Sequence, residues 1–234
     1  MAEIRDISLL SEIDDDSARR FAPSLHWRNY GPNELVIDMD DRSSDVLFII
    51  DGVVRVINRS EDGKQYILGE LGAGAVFGEM AAIDGVARSA TVTTLQPTRV
   101  ATMPAPAFME IVTSQPGVCR AILEMMAVRI RRLNRQLSEH AYLTAVERLY
   151  AELLRLSHAR KGHEGQRSIS PPPTQQELAE RIGSRREVVS RALSALEKEK
   201  LLEKTRGALV LTKPGELNRR ISLDGLQIEL DKTD

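Results

Sequence analysis

Nine positions separate Glu79 from Arg88 in the stretch FGEMAAIDGVARSATV, residues 77–92, which opens on Gly78-Glu79 and closes on Arg88-Ser89-Ala90. A glycine lets backbone amides approach an anion closely, an arginine offers a planar fork of donors that suits a phosphate, and a carboxylate accepts hydrogen bonds from a sugar hydroxyl. Together these residue types describe a pocket for a sugar phosphate. The alternative is that Glu79 and Arg88 simply pair with one another. A second constellation lies at Arg186, Glu187, Ser190 and Arg191. On a helix starting near Ser184 these residues share one early exposed face, at a spacing that can project into a major groove.

Catalytic chemistry is not written in the chain. The four histidines, His26, His140, His158 and His163, show no metal-ligand spacing, and Cys119 is the only cysteine, so no internal disulfide, cysteine-bound cluster or structural zinc is expected. Gly72-x-Gly74-x-x-x-Gly78 reads as a strand-turn glycine set, and the carboxylates at Asp14–Asp16 and Asp40-Asp41 fall in turns where water solvates them. No nucleophile elbow is present, and the chain is expected not to be an enzyme.

The elements that must position these groups follow from periodicity. Residues 1–26 read as short helical turns with Ile4, Ile7, Leu9, Leu10 and Ile13 apolar. Between Trp27 and Met103, glycine-punctuated strands are predicted at 35–38, 46–50, 53–57, 66–71, 89–94 and 98–103. Turns are predicted at Asp51-Gly52, Glu61-Asp62-Gly63 and Gly72-Ala73-Gly74, a spacing that suits an antiparallel barrel or jelly roll. A helix is predicted after Pro104 or Pro106, and a long one from Pro116-Gly117 to about His158. Along it Leu123, Met126, Ile130, Leu133, Leu137, His140 and Thr144 form a heptad seam for a second copy, with His140 a polar register-setting position. Ile122, Met125, Leu143, Val146, Leu149, Leu153 and Leu154 form another face, to pack on the chain's own domains. The polar stretch KGHEGQRSIS before Pro171 reads as a turn or strand connection. Thr174-x-x-Glu177 and Ser184-x-x-Glu187 read as capping boxes opening two helices joined at Gly183, a helix-turn-helix, followed by a hairpin wing over 201–212. Residues 224–234, acidic and polar, are expected to fray.

Composition sets the frame for both sites. At 234 residues the chain is expected to form two domains. It lacks an apolar run near the roughly 18–20 residues of a membrane span, and no signal-peptide pattern opens it, so no membrane association and a cytoplasmic location are expected. Residues 1–118 carry 10 Lys+Arg against 18 Asp+Glu, a net of −8, whereas residues 157–223 carry 14 against 8, a net of +6. An acidic front and a basic back suit different partners.

The Gly78-Glu79-Met80-Ala81 and Arg88-Ser89-Ala90 segments resemble the phosphate-binding cassette of cyclic nucleotide-binding domains. The run Arg186-Glu187-Val188-Val189-Ser190-Arg191 resembles the recognition helix of the cyclic AMP receptor protein family. Over about residues 7–222 the chain thus resembles the CRP/FNR family of bacterial transcription regulators. The resemblance implies an α+β chain with an N-terminal antiparallel β-roll (the cyclic nucleotide-binding jelly roll) at 1–118, a long dimerisation helix at 119–158 and a C-terminal winged helix-turn-helix at 159–234. It implies that the Gly78 and Ala90 backbones and the Arg88 and Ser89 side chains hold a cyclic phosphate, beside Met80 and Ala81, with Glu79 on the ribose 2′-hydroxyl. It implies that Arg186 and Arg191 reach guanine and Glu187 cytosine, with Thr174, Gln175, Ser184, Arg185 and Ser190 completing the DNA-facing set. The family reads the base with a Thr-Ser pair on the long helix. Here that position falls near Leu133-Asn134 or Gln136-Leu137, so Asn134 or Gln136 becomes the candidate, and cyclic AMP and cyclic GMP both stay open. Two further departures are Ser190, which resembles the anaerobic-regulator branch, and Asp40, where the family usually has a turn glycine. The partners implied are a second copy of the chain, double-stranded DNA with an inverted repeat, and RNA polymerase; no metal is implied. An inert cassette, or a different small-molecule effector, is the alternative.

Overall fold

The computed structural model describes residues 4–60 and 63–221. The expected turn residues Glu61 and Asp62 and the expected frayed end at 224–234 lie outside them. The chain divides into two compact units, residues 1–129 and 130–234.

The first unit opens with two 3-10 turns, Ile4–Asp6 and Ser8–Leu10, and helix α1 (Asp15–Phe21). Strands β1 (His26–Tyr30), β2 (Leu35–Ile37), β3 (Val46–Asp51), β4 (Val53–Arg59), β5 (Gln65–Gly72) and β6 (Val76–Phe77) follow. Then come helix α2 (Glu79–Asp84), strands β7 (Thr91–Thr94) and β8 (Thr98–Met103), and helix α3 (Ala105–Ser114). The strands form two four-stranded antiparallel sheets, ordered β1-β8-β3-β6 and β2-β7-β4-β5. The apolar run of β3 explains the layering. Successive side chains on a strand point to opposite faces. Leu47 and Ile49 therefore join Ile37, Val54, Phe77, Val92 and Val100 in one core, while Val46 and Phe48 join Ala101, Met103, Phe108, Ile111 and the amino-terminal turns in another. The Asp51-Gly52 turn forms, but not as the hairpin its sequence suggests: β3 pairs with β6 and β8 and β4 with β5 and β7, so the turn carries the chain from one sheet to the other. Gly52 sits at φ 99°, and a Cβ there would stand 2.6 Å from the Thr98 Cα.

All six predicted strands form, with ends shifted by one or two residues, and two were not predicted. Strand β1, His-Trp-Arg-Asn-Tyr, is an edge strand with four of its five residues exposed, so no alternation of apolar and polar residues announces it. Strand β6 is two residues long.

The long helix is shorter than predicted. Helix α4 runs Pro116–Tyr142, and a separate α5 runs Ala145–Leu156. The break is made by Thr144, which the heptad reading had placed in the seam. It is extended (φ −64°, ψ 161°), its hydroxyl accepts from the Glu147 amide at 3.3 Å, and its own amide donates to Glu147 at 2.8 Å. Arg148 braces the break, donating to the Leu143 carbonyl at 2.8 Å and the Ile182 carbonyl at 3.0 Å. We expect Thr144→Ala to cost about 1 kcal/mol of stability in urea unfolding, the usual effect of a lost cap. Leu123, Ile130, Leu133 and Leu137 of the seam are more than half exposed. Met126 instead packs on the first unit's core, with Ile122 and Met125. Leu143, Leu149, Leu153 and Leu154 are buried in the second, against which Val146 packs.

The second unit continues with β9 (His158–Ala159), β10 (Arg167–Ile169), α6 (Gln175–Ile182), α7 (Arg186–Lys198), β11 (Leu202–Lys204), β12 (Leu209–Leu211) and α8 (Pro214–Arg219). The predicted wing is β11 and β12, paired Lys204↔Leu209; the polar stretch KGHEGQRSIS supplies β10, and β9 precedes it, in one sheet ordered β11-β12-β10-β9.

Candidate functional site

Strand β6 delivers the chain to Gly78, whose left-handed backbone (φ 78°, ψ 2°) turns it into α2. A Cβ at Gly78 would stand 2.6 Å from Arg88 Nη1 and 3.0 Å from the Asp45 carbonyl. Position 78 therefore tolerates no side chain. We expect Gly78→Ala to cost about 1–3 kcal/mol, the usual range for strain of this kind, in urea unfolding. Helix α2 ends at Gly85 (φ 70°), and the loop beyond it carries Arg88.

Arg88 is buried and held by two backbone carbonyls and one hydroxyl. Its Nη1 donates to the Gly78 carbonyl at 2.7 Å, Nη2 to the Asp45 carbonyl at 2.7 Å, and Nε to Ser43 Oγ at 3.1 Å. Its own amide donates to the Asp41 carbonyl at 2.9 Å, and its carbonyl accepts from the Asp40 amide at 3.1 Å. Asp40, in place of the family's glycine, does take the left-handed conformation (φ 69°). A guanidinium has five N–H donors, and three are engaged here, which leaves two for a ligand. Burial lowers the Arg88 pKa from its ordinary value, opposed by the charges of Asp45, Asp41 and Glu79. Arg88 makes no ion pair among the described residues.

Glu79, the first residue of α2, is 1% exposed. It does not pair with Arg88, the alternative raised by the sequence. Instead its Oε1 accepts from Arg129 Nη1, and Arg129 Nη2 donates to the Val76 carbonyl at 2.6 Å. Its Oε2 is buried without a hydrogen-bond partner. Sequence reasoning missed Arg129. The available signal was its place seven residues after buried Ile122 and four after Met125, a charge on the inward stripe of α4.

The remaining cassette residues line the same loop and helix. Met80 is about half exposed with its sulfur 3.8 Å from Ser89 Oγ; Ser89 is exposed, Ala81 buried and Ala90 half-buried. Asn134, exposed, and Gln136, half-buried, lie on α4 in the second unit.

The helix pair α6–α7 is built by its ends. Thr174 caps α6 in a complete capping box with Glu177, as predicted, and Gly183 ends it at φ 59°. The second predicted box does not form. The Ser184 amide closes α6 by donating to the Ala179 carbonyl at 2.9 Å, so Ser184 belongs to the turn; Arg185 becomes the cap residue of α7, without a side-chain capping bond. Beyond it Val189, Ala192, Leu193 and Leu196 face the core, whereas Arg185, Arg186, Glu187 and Arg191 are exposed and Ser190 is half-buried. Thr174 is exposed and Gln175 half-buried at the start of α6. Among the described residues Arg186 and Arg191 make no ion pair. The Arg191 Nε only reaches its own helix, at the Glu187 carbonyl 3.4 Å away.

An antiparallel β-roll with an anion-suited cassette, a long helix with an exposed apolar seam and a winged helix-turn-helix together define a ligand-binding, DNA-binding regulator. Residues 27–115 match the cyclic nucleotide-binding domain, and residues 147–220 match the Crp-like helix-turn-helix domain. The chain belongs to the CRP/FNR family of transcription regulators, which are not enzymes. It is 27% identical to the cAMP-activated global transcriptional regulator CRP of Pasteurella multocida, over 80% of this chain and 90% of that one. The c-di-GMP-responsive global regulator CLP of Xanthomonas campestris is 25% identical, with a TM-score of 0.73 over 85% of this chain and 99% of that one. CooA of Carboxydothermus hydrogenoformans, 17% identical, shares the fold with a TM-score of 0.76 over 94% of this chain and 96% of that one.

Proposed function

We propose that this chain acts as a homodimer whose β-roll takes a cyclic nucleotide, cyclic AMP or cyclic GMP, and whose paired α7 helices read an inverted repeat. The observation that carries the effector reading is Glu79 Oε2, a buried carboxylate oxygen without a donor, close to an arginine with two free N–H groups. A buried acceptor left unpaired is costly, and a ribose 2′-hydroxyl would supply its missing donor while the cyclic phosphate engages Arg88 and Ser89 and the backbone at Gly78 and Ala90. Asn134 or Gln136 would meet the base. The exposed seam of Leu123, Ile130, Leu133 and Leu137 supports a second copy as its cover. Effector binding favours one arrangement of the dimer, and it acts only to the extent that it prefers that arrangement. RNA polymerase is the further partner, and the cytoplasm the compartment.

Calorimetric titration with cyclic AMP, cyclic GMP, cyclic di-GMP and 2′-deoxy cyclic AMP tests this reading. We expect cyclic AMP or cyclic GMP to saturate the protein. The 2′-deoxy compound should bind at least about tenfold more weakly than cyclic AMP, the effect of one lost hydrogen bond to a charged group, and Glu79→Ala should erase that difference. Binding of cyclic di-GMP alone would replace the effector, and no saturable binding by any of the four would leave the cassette inert.

A further inference from the structure

Four charged side chains of the second unit come together where α4, α5 and α6 meet, two buried carboxylates and two arginines, of which Arg155 is about a third exposed. Glu139, one turn before the end of α4, is 5% exposed, and Glu152 on α5 is 7% exposed. Arg155, in the last turn of α5, forks between them: Nη2 lies 2.6 Å from Glu139 Oε1, and Nη1 bonds Glu152 Oε2. The other oxygen of Glu152 lies 3.5 Å from Arg181 Nη1 on α6. The charges alternate Glu139, Arg155, Glu152, Arg181 across three helices, and the Thr144 break lies between the first residue and the rest.

We propose that this chain of charges is a clasp with one movable jaw, Glu139, which holds the helix-turn-helix against the end of α4 and releases it at the Thr144 break. The asymmetry of the pairing supports the assignment. If α4 swings away, Arg155 keeps Glu152, and Glu152 keeps both arginines, so only Glu139 loses its partner. Glu139 then gains water, and its burial is the part of the closed state that disfavours its charge: desolvation raises its pKa, against which Arg155 and Arg135 pull down while Glu152 adds to the rise. Both states therefore leave every cation paired, which is what a two-state element requires. The closed clasp sets the orientation from which Arg186 and Arg191 face outward. It concerns the second unit alone and stands whatever effector the β-roll takes.

Amide hydrogen exchange of the full-length protein, without ligand or DNA, tests the clasp. The Leu143 amide, bonded to the Glu139 carbonyl, and the Arg148 amide, bonded to the Thr144 carbonyl, report opening of the break; Val189 and Leu193 in α7 report unfolding of the unit. In Glu139→Gln and in Arg155→Met, exchange at Leu143 and Arg148 should accelerate at least about tenfold, while Val189 and Leu193 change less than about threefold. The double variant should be no faster than Arg155→Met alone, because Arg155→Met already removes the only ion pair of Glu139 among the described residues. Arg155→Lys, which keeps the charge but loses the fork, is the milder variant and should accelerate the same two amides. Unchanged exchange at Leu143 and Arg148, acceleration spread equally into α7, or multiplying effects in the double variant would each overturn the clasp.

Discussion

Arg88→Ala should weaken cyclic-nucleotide binding by about 10²- to 10³-fold, the largest single effect we expect on the effector side. Truncating one partner of a buried, hydrogen-bonded charge pair costs roughly 2–5 kcal/mol, and Arg88 is the buried cation of the cassette, 4% exposed. Its position does not depend on the ligand: three carbonyl or hydroxyl acceptors, at Gly78, Asp45 and Ser43, already aim its fork. Pre-aimed donors lose little freedom on binding, so their contribution appears in affinity. The same three bonds mean that alanine also leaves buried acceptors behind, and the variant should unfold at lower urea. Arg88→Lys separates the two effects. It retains a charge but cannot reach three acceptors and a phosphate together, so its affinity should fall between wild type and alanine. Titration calorimetry on all three proteins, with urea unfolding alongside, gives the comparison; wild-type affinity in Arg88→Ala would remove the cassette from effector recognition.

The second large effect falls on DNA. Arg191→Ala should weaken binding to a duplex selected from a random pool by about 2–6 kcal/mol per dimer, because each bidentate arginine–guanine contact contributes about 1–3 kcal/mol and a homodimer makes it twice. Preference at the contacted base pair should relax with it, which distinguishes base reading from phosphate attraction. Folding should be little affected, since Arg191 is exposed and makes no ion pair among the described residues. Arg186→Ala should act in the same direction. Fluorescence anisotropy at one fixed salt concentration measures both, and retained affinity together with retained base preference would exclude α7 as the reader.

Local chemistry decided most of what the sequence disclosed. Strand positions followed from glycine-punctuated apolar runs, the start of α6 from Thr174 and Glu177, and the cassette from Gly78, Glu79 and Arg88, because each is set by residues within a few positions of one another. Where two local signals competed, periodicity alone misled. Thr144 fits a heptad seam and also opens a capping box with Glu147, and in the folded chain the box prevails because it satisfies the backbone donors at the head of α5. Ser184 shows the converse, a capping pattern that fails because its amide is already engaged in closing α6.

The sequence by itself determined most of the elements, the residue types of both sites and the division into an acidic and a basic half. Tertiary structure alone decided who partners whom. That Glu79 pairs with Arg129, fifty residues away, rather than with Arg88; that Arg88 is held by carbonyls from the turn before β3; and that Glu139 reaches Arg155 across a helix break are consequences of packing. Ion pairs and hydrogen bonds between distant segments depend on where whole sheets and helices come to rest, and no spacing along a chain encodes that distance.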